Sequence, residues 1–332
     1  MTQIHINTFG ASVHRVQGSF EIITQEGKTR ISPEKIRSLV ISSAAHISSD
    51  AILLAIEHEI EILFTDRRGQ PIGRVWSYKY GSISTIRKQQ VLFSKNAAGG
   101  EWVKDNGIRR IKAQQAILKA IGRDRPAHQN AIHETIARME EFANAIAQLP
   151  QAPAYEWAAT LRGYEGNASK LYFEMLSDLL PEQYQFKVRT RRPAQDIFNA
   201  ALNYLYGILY GNVEGALIKA GIDPYLGVLH ADEYNRPVLA FDMIERYRHW
   251  AEAVLMQICF RRLLLPSMAI YQQGGWWMEN EGKRLLATSF NDYLNEVITH
   301  NNKRRTRLTH IQEDANQLAQ QLLKMDMEHE TQ

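Results

Sequence analysis

Along the first 76 residues, apolar positions recur in short runs that favour β-strands. The runs are 4–6, 13–16, 20–24, 28–31, 39–41, 60–64 and 71–76, and several alternate or are rich in β-branched residues. Turn residues separate them at 25–27 and 66–69. Short helices are predicted at 32–35, where Ser32 precedes Pro33, and at 49–57. The pattern therefore predicts a small β-rich amino-terminal region.

After a stretch of Tyr, Gly and Ser at 78–84, apolar residues recur every three or four positions. This spacing predicts helices at 85–94, 101–121, 127–147, 153–163, 193–209, 211–221 and 248–265. The segment from Arg307 onward is also predicted to be helical, as a mobile or a docking segment.

The two patterns together predict an α+β fold with two domains. We expect a β-rich amino-terminal domain at 1–80, a linker at 81–84 and a larger all-α domain at 85–332. The first domain contains no cluster of histidine and carboxylate residues, so we expect it to serve as scaffold and subunit interface. We expect the catalytic residues to lie in the helical domain.

Composition narrows the class of protein. Apolar residues make up 45% of the chain and charged residues 23%, which is ordinary for a globular protein. No apolar run approaches the roughly 18 residues of a membrane span, and the amino terminus lacks the pattern of a signal peptide. We therefore expect a cytoplasmic protein with no membrane partner. The single cysteine excludes an intrachain disulfide and a thiolate metal cluster.

The net charge of +3 is unevenly distributed. The last twenty residues carry five acids and one base, which leaves a basic remainder. Bases are dense at Lys187, Arg189, Arg191 and Arg192, and again between 303 and 307. Such clusters suit a phosphate backbone, whose counterions they release, and a solvated basic face is the alternative interpretation.

The residues between 225 and 248 carry the strongest candidate chemistry. His230 ends an apolar run, a polar turn follows at 232–237, and Asp242 and Glu245 then share one face of a predicted helix. An imidazole and carboxylates form a ligand set that holds a divalent cation, which can activate an attacking oxygen. A hydrogen-bonded structural group is the alternative, and these residues alone leave both open.

The same stretch resembles the CRISPR-associated endonuclease and integrase family, the universal nuclease of spacer acquisition. The family signature reads Gly-x-Leu-His, then Leu-Ala-x-Asp-x-x-Glu-x-x-Arg. The residues that match it are Gly227, Leu229, His230, Leu239, Ala240, Asp242, Glu245 and Arg248. The resemblance extends to 162–169, 191–204 and 47–73, and so covers nearly the whole chain.

The resemblance implies that Glu165, His230 and Glu245 are the catalytic metal ligands, with Asp242 as a nearby second acid. The reaction class favours Mg²⁺ or Mn²⁺ as the cofactor. If Glu165 is a ligand, the neighbouring cationic side chains stand where a scissile phosphate needs charge neutralisation. The residues expected to bind DNA are Arg162, Lys170, Lys187, Arg189, Arg191, Arg192 and Arg248.

The activity implied by the resemblance is metal-dependent insertion of captured DNA fragments as new spacers. A 3′ hydroxyl of the fragment attacks a phosphodiester at the repeat boundary, and no protein nucleophile is required. The resemblance further implies a homodimer that binds double-stranded DNA and a small companion adaptation protein. Two alternatives remain, a non-catalytic DNA-binding scaffold and a general structure-specific nuclease of DNA repair.

Overall fold

A computed structural model describes residues 2–42, 45–66, 71–75, 84–230, 236–300 and 302–329. Several predicted features lie outside the described residues: Trp76, most of the turn at 66–69, residues 81–83 of the linker and most of the turn at 232–237. The chain divides into two compact units, Met1–Gly81 and Ser82–Gln332, and each is treated by itself below.

The first unit contains two four-stranded sheets within its described residues. One sheet has the order β1-β5-β7-β8, with parallel pairing among its first three strands, and the other has the order β4-β3-β2-β6. The strands are β1 (Thr2–Ile6), β2 (Ser12–Val16), β3 (Ser19–Thr24), β4 (Gly27–Ile31), β5 (Ile36–Ile41), β6 (His46–Ile47), β7 (Glu61–Thr65) and β8 (Pro71–Val75).

Alternation along these strands builds the core of the first unit. The apolar side chains of Ile6, Leu39 and Ile62 are buried in one cluster with those of helix α1 (Ser49–Glu57). Helix α1 begins at Ser48, whose hydroxyl accepts a hydrogen bond from the amide of Ala51, as a capping residue should. The predicted β-rich region is confirmed; sequence patterns missed only the short β6.

The second unit is mostly helical. Its described helices are α2 (Ser84–Ser94), α3 (Ala97–Gly122), α4 (Gln129–Ala147), α5 (Ala158–Leu179), α6 (Ile197–Lys219), α7 (Val238–Ile244), α8 (Arg248–Phe260), α9 (Asn280–Asn295) and α10 (Arg307–His329). Helix α6 is largely buried and packs against α7, α8, α9 and α10. The α+β fold class is therefore confirmed.

The second unit departs from the all-α prediction in two hairpins. These pair β9 (Ala269–Gln272) with β10 (Gly275–Met278), and β11 (Val297–His300) with β12 (Lys303–Thr306). Gln273 and Gly274 both have positive φ, 52° and 78°, which matches the right-handed twist of a two-residue hairpin turn. The sequence analysis predicted no strands in this domain.

Helix boundaries differ most around α5 and α6. The predicted helix at 153–163 is wrong at both ends, because α5 begins at Ala158 and continues through Gly163 and Gly166 to Leu179. Buried Leu161, Ala168 and others along one face supply packing that offsets the low helix propensity of glycine. The helices predicted at 193–209 and 211–221 are one continuous α6.

The carboxy-terminal helix α10 is packed and not a mobile tail. Its side chains Ile311, Ala315, Leu318 and Leu322 are buried, and the helix contacts α2 and α6. Among the described residues, no helix combines the length and the apolar character that crossing a bilayer requires.

Candidate active site

Asp242 organises the loop that carries His230. Its buried carboxylate lies on α7, where Oδ2 accepts the backbone N–H groups of Val228 at 2.7 Å and Leu229 at 3.1 Å. Oδ1 accepts the backbone N–H of His230 at 3.2 Å and its Nδ1–H at 2.6 Å. The imidazole is thus held through Nδ1, and Nε2 is the nitrogen that remains for a ligand.

The surroundings of His230 favour its charged form. Burial lowers the pKa of the imidazole, but the hydrogen bond and charge of Asp242, together with the charges of Glu245 and Glu165, outweigh burial, so the pKa is raised above its usual value. The His230 side chain is 36% exposed and that of Asp242 is 0% exposed. The imidazole is therefore partly accessible to solvent, while the carboxylate that orients it is shielded from water.

Glu245 follows the end of α7 and is clamped by two arginines. Arg110 Nη1 donates to its Oε2 at 2.5 Å, and Arg248 Nε donates to its Oε1 at 2.7 Å. Burial opposes ionisation of Glu245, yet the two guanidinium charges lower its pKa below the ordinary value. Arg248 is fixed in turn by the hydroxyl of Tyr210 at 2.9 Å. Glu245 is thus held ionised in one orientation.

Glu165 lies in the middle of α5, half-buried against α3. A Cβ atom at Gly107 would stand 2.9 Å from Glu165 Oε1, so a larger residue there would displace this carboxylate from its present position. Burial and then the negative charge of Glu245 raise the pKa of Glu165 to about 7, against the opposing charges of Arg110 and His230. The two glutamates therefore occupy one electrostatic environment.

The structure brings the three predicted ligands near one another without a finished coordination shell. Within the described part of the chain, no three acidic, histidine or cysteine side chains already converge as a metal-binding group. The reason lies in the partners: both Glu245 oxygens face arginines, and His230 Nδ1 faces Asp242. His230 Nε2, the Glu165 carboxylate and the second lone pair of each Glu245 oxygen are the remaining donors.

Helix α3 contributes residues that the sequence analysis missed. Besides Gly107 and Arg110, Asn106 donates from Nδ2 to the backbone carbonyl of Asp242 at 3.2 Å. Asn106, Arg110 and Gln114 recur every four residues and are all buried. A polar stripe at helical spacing in an otherwise buried helix is the signal that could have found them.

Helix α10 is tied to the turn that holds Glu245. The hydroxyl of Tyr247 donates to Asp314 Oδ2 at 2.6 Å, and Arg246 Nη1 lies 3.8 Å from the same carboxylate. Arg246 also donates to Asp105 Oδ2 at 2.9 Å. The first part of the acidic carboxy-terminal segment thus braces the two residues that directly follow the candidate ligand.

Five of the predicted DNA-binding residues present cationic side chains at the surface. They are Arg162, Lys170, Lys187, Arg191 and Arg192. Arg162 lies on α5 and donates to the carbonyl of Leu229 at 3.4 Å, and Lys170 reaches Glu174 at 3.9 Å. Lys187, Arg191 and Arg192 form no salt bridge within the described residues. The role of all five in binding DNA stays a prediction.

The other two, Arg189 and Arg248, face protein groups. Arg189 donates to Asn199 Oδ1 at 2.7 Å and to Asn203 Oδ1 at 2.6 Å, so the asparagine pair of α6 fixes the basic segment, residues 187–192. Arg248 is 4% exposed and bound to Glu245. These contacts give both arginines a supporting role, and direct contact with DNA stays a prediction.

The basic cluster at 303–307 is partly neutralised. Lys303 and Arg305 lie 3.8 and 3.9 Å from Glu313 of α10. Arg307 donates to Glu296 at 2.7 Å. This cluster is therefore a weaker candidate for a phosphate contact than the basic segment.

Comparisons with known proteins identify the family of the chain. The family described as CRISPR associated protein Cas1 matches residues 4–292. A relative named CRISPR-associated endonuclease Cas1 1, from Archaeoglobus fulgidus, is 28% identical over 292 residues, which are 84% of this chain and 84% of the relative.

Two solved structures share the fold. A "Casposase bound to integration product" aligns with a TM-score of 0.82 at 18% identity, covering 98% of this chain and 91% of that one. A "Cas6-RT-Cas1--Cas2 complex" aligns with a TM-score of 0.77 at 22% identity, covering 98% of this chain and 35% of the longer one. Because the family match spans most of the sequence, the chain belongs to the CRISPR-associated protein Cas1 family.

Proposed function

We propose that this protein is a divalent-metal-dependent DNA endonuclease and integrase of CRISPR adaptation. The observation that carries the proposal is the Asp242–His230 pair, with Glu165 and Glu245 in its electrostatic field. A carboxylate that orients an imidazole through Nδ1 is the usual support of a histidine metal ligand. The relative from Archaeoglobus fulgidus, which carries the name endonuclease, supports the same activity.

The residues present fit a hard divalent cation. Glu165, His230 and Glu245 would hold it, and Mg²⁺ or Mn²⁺ suits this set of oxygen and nitrogen donors. Burial and the charge of Glu245 raise the pKa of Glu165 to about 7, and a nearby cation relieves that repulsion. When bound, the cation supplies acidification of an attacking hydroxyl and charge neutralisation at the phosphate.

Each protein group has a separate task in this proposal. Asp242 holds the Nδ1–H of His230, so that once the imidazole loses its second proton to the solvent, Nε2 carries the lone pair that a cation needs. Arg110 and Arg248 keep Glu245 ionised and oriented. The attacking group is the 3′ hydroxyl of a captured fragment in integration and water in hydrolysis, so no covalent protein intermediate is needed.

The basic segment suits the DNA backbone. Lys187, Arg191 and Arg192 are exposed, and Asn203 holds the segment by donating from Nδ2 to the carbonyl of Arg191 at 2.7 Å. A cationic segment held by its own backbone contacts can meet a phosphate with little loss of chain entropy. Arg162 and Lys170 on α5 extend the positive charge toward Glu165.

The partners in this proposal are double-stranded DNA, a second copy of the chain and the small companion protein of spacer acquisition, in the cytoplasm. Family membership supports DNA as substrate, and the complex of a structural neighbour named with Cas2 supports the companion. The first unit, residues 1–81, would form the homodimer contact.

The test is strand transfer of a short duplex with free 3′ hydroxyls into a supercoiled plasmid bearing a repeat and leader, with Mn²⁺ and the companion protein. His230→Ala should lower joined product by roughly 100-fold or more, because the site loses a ligand. His133→Ala, an exposed histidine on α4, is the matched control and should join normally.

The alternatives give different results in the same assay. A wild-type protein that binds the duplex but joins nothing, with His230→Ala indistinguishable from it, would identify a DNA-binding scaffold. Cleavage of branched DNA without joining, independent of the companion protein, would identify a repair nuclease.

A further inference from the structure

Behind the candidate site lies a buried pair that the proposed chemistry does not use. Tyr206 on α6 donates its hydroxyl to Glu252 Oε1 on α8 at 2.6 Å. Glu252 is 0% exposed and Tyr206 is 6% exposed. Burial raises the pKa of Tyr206 far above its usual value, so the phenol keeps its proton and remains the donor. The carboxylate therefore adds one restraint to an aromatic ring that the core of the second unit already surrounds.

Two guanidinium groups lie over this ring. Arg248 Cζ is 4.8 Å from the ring centroid of Tyr206, and Arg189 Cζ is 5.5 Å from it. Both distances fall within the range of a cation–π attraction, which strengthens when the groups are shielded from water. Each arginine has a second contact: Arg248 binds Glu245, and Arg189 anchors the basic segment.

We propose that Tyr206, fixed by Glu252, is a positioning residue for the carboxylate of Glu245. It acts through Arg248, because the ring restricts where the guanidinium lies and the guanidinium restricts the carboxylate. The inference rests on the proposed function in one respect, that Glu245 holds the metal. Since Arg189 shares the ring, the basic segment and the metal ligand have a common support.

In this proposal the aromatic ring of Tyr206, and not only its hydroxyl, restricts the positions of the two guanidinium groups. Tyr206→Leu removes the π face and the hydrogen bond together, and both arginines lose a contact. Tyr206→Phe keeps the ring over both guanidinium groups and loses only the bond to Glu252. Rescue by phenylalanine thus separates positioning by the ring from a general need for tyrosine.

The experiment is a titration of the full-length protein with Mn²⁺ in the absence of DNA, followed by the electron paramagnetic resonance of free Mn²⁺. Tyr206→Leu should raise the dissociation constant about tenfold, and Tyr206→Phe should stay within about threefold of wild type. Tyr184→Leu is the matched control, since Tyr184 is equally buried but donates to the carbonyl of Leu264. Its Mn²⁺ affinity should equal that of wild type.

The outcomes separate this inference from the proposed function. Unchanged Mn²⁺ affinity in Tyr206→Leu, or an equal loss in Tyr184→Leu, overturns the positioning role and leaves the metal site intact. A wild-type protein that binds no Mn²⁺ refutes the metal site and this inference together. If Tyr206→Leu does not fold, Tyr206→Met replaces it, because methionine keeps most of the volume without the π face.

Discussion

Helix α5 and the turn after α7 each bring one glutamate to the candidate site, and their surroundings are opposite. Glu245 is buried between Arg110 and Arg248, which lower its pKa. Within the described chain, Glu165 is half-buried against Gly107, accepts no hydrogen bond from either arginine, and has a pKa raised to about 7. Glu245 is therefore ionised before a cation binds, whereas the pKa of Glu165 lies near neutral pH.

The two glutamates would therefore interact differently with a cation. Glu245 is oriented before a cation arrives, at the expense of burying three charges together. Glu165 gains most from a cation, because its charged form is the less stable one in the free protein. Three substitutions test this division between the two glutamates.

The largest effect is expected from Arg248→Leu. Removing one arginine leaves the buried Glu245 with Arg110 as its remaining strong partner, and breaking a buried ion pair typically costs about 3–5 kcal/mol. We expect a loss of that size in the free energy of unfolding, measured by urea denaturation followed by tryptophan fluorescence.

Arg109→Leu is the matched control, because Arg109 adjoins Arg110 on the same helix, pairs with Asp105 four residues earlier, and has a side chain that is 48% exposed. It should cost less than about 1 kcal/mol. Equal losses in the two variants would show that burial does not distinguish the Glu245 clamp from a surface pair.

A smaller effect is expected from Asp242→Asn. The amide cannot accept all four hydrogen bonds that the carboxylate receives, so the His230 imidazole loses its orientation. Mn²⁺ affinity should fall roughly 10–100-fold. The pKa of His230 should also fall, since the hydrogen bond to Asp242 and the charge of Asp242 raise it more than the charges of Glu245 and Glu165 do.

Both changes can be followed in one sample series, with Mn²⁺ titration for affinity and imidazole proton resonances for the pKa. A His230 pKa that stays raised in Asp242→Asn would assign the shift to Glu165 and Glu245 instead.

The smallest effect is expected from Glu165→Gln without metal. The folded protein holds the Glu165 proton more tightly than the unfolded chain, so this residue's contribution to stability is lost as pH rises from about 4.5 through about 7. Glutamine has no such pH dependence. At pH 8 the variant should melt about 2–4 °C above wild type, and at pH 4 the two should coincide.

Saturating Mn²⁺ should reverse the order at pH 8, because the cation binds wild type more tightly and stabilises it. A variant that melts below wild type at pH 8 without metal would mean that Glu165 is already compensated in the free protein.

The part of the site that could be predicted from the sequence is the part whose residues lie close together along the chain. His230, Asp242 and Glu245 lie within sixteen residues, and their spacing indicates a shared function before any fold is known. Glu165 was found only through family resemblance, and its place in a helix was missed because Gly163 and Gly166 interrupt the apolar pattern. Tertiary packing overrides propensity at those two positions.

The contacts of Arg110 and Arg248 with Glu245 could not be predicted in the same way. Arg110 is separated from Glu245 by 135 residues, and only the packing of α3 against α7 and α8 brings their side chains together. Within α3 it looks like one more basic residue beside Arg109, whose side chain is far more exposed. The strands of the first unit were easier to predict, because apolar and polar residues that alternate over five positions already show which face of a strand is buried.

The contact between Asp314 and the turn at Arg246 and Tyr247 has a genetic consequence. Every residue of the family signature lies upstream of position 249, so an allele that ends before Asp314 still encodes the complete signature. It would nonetheless lack the acceptor for the Tyr247 hydroxyl and the buried face of α10. Reading frames shortened near their 3′ end should therefore be classed as damaged genes, however intact their signature looks.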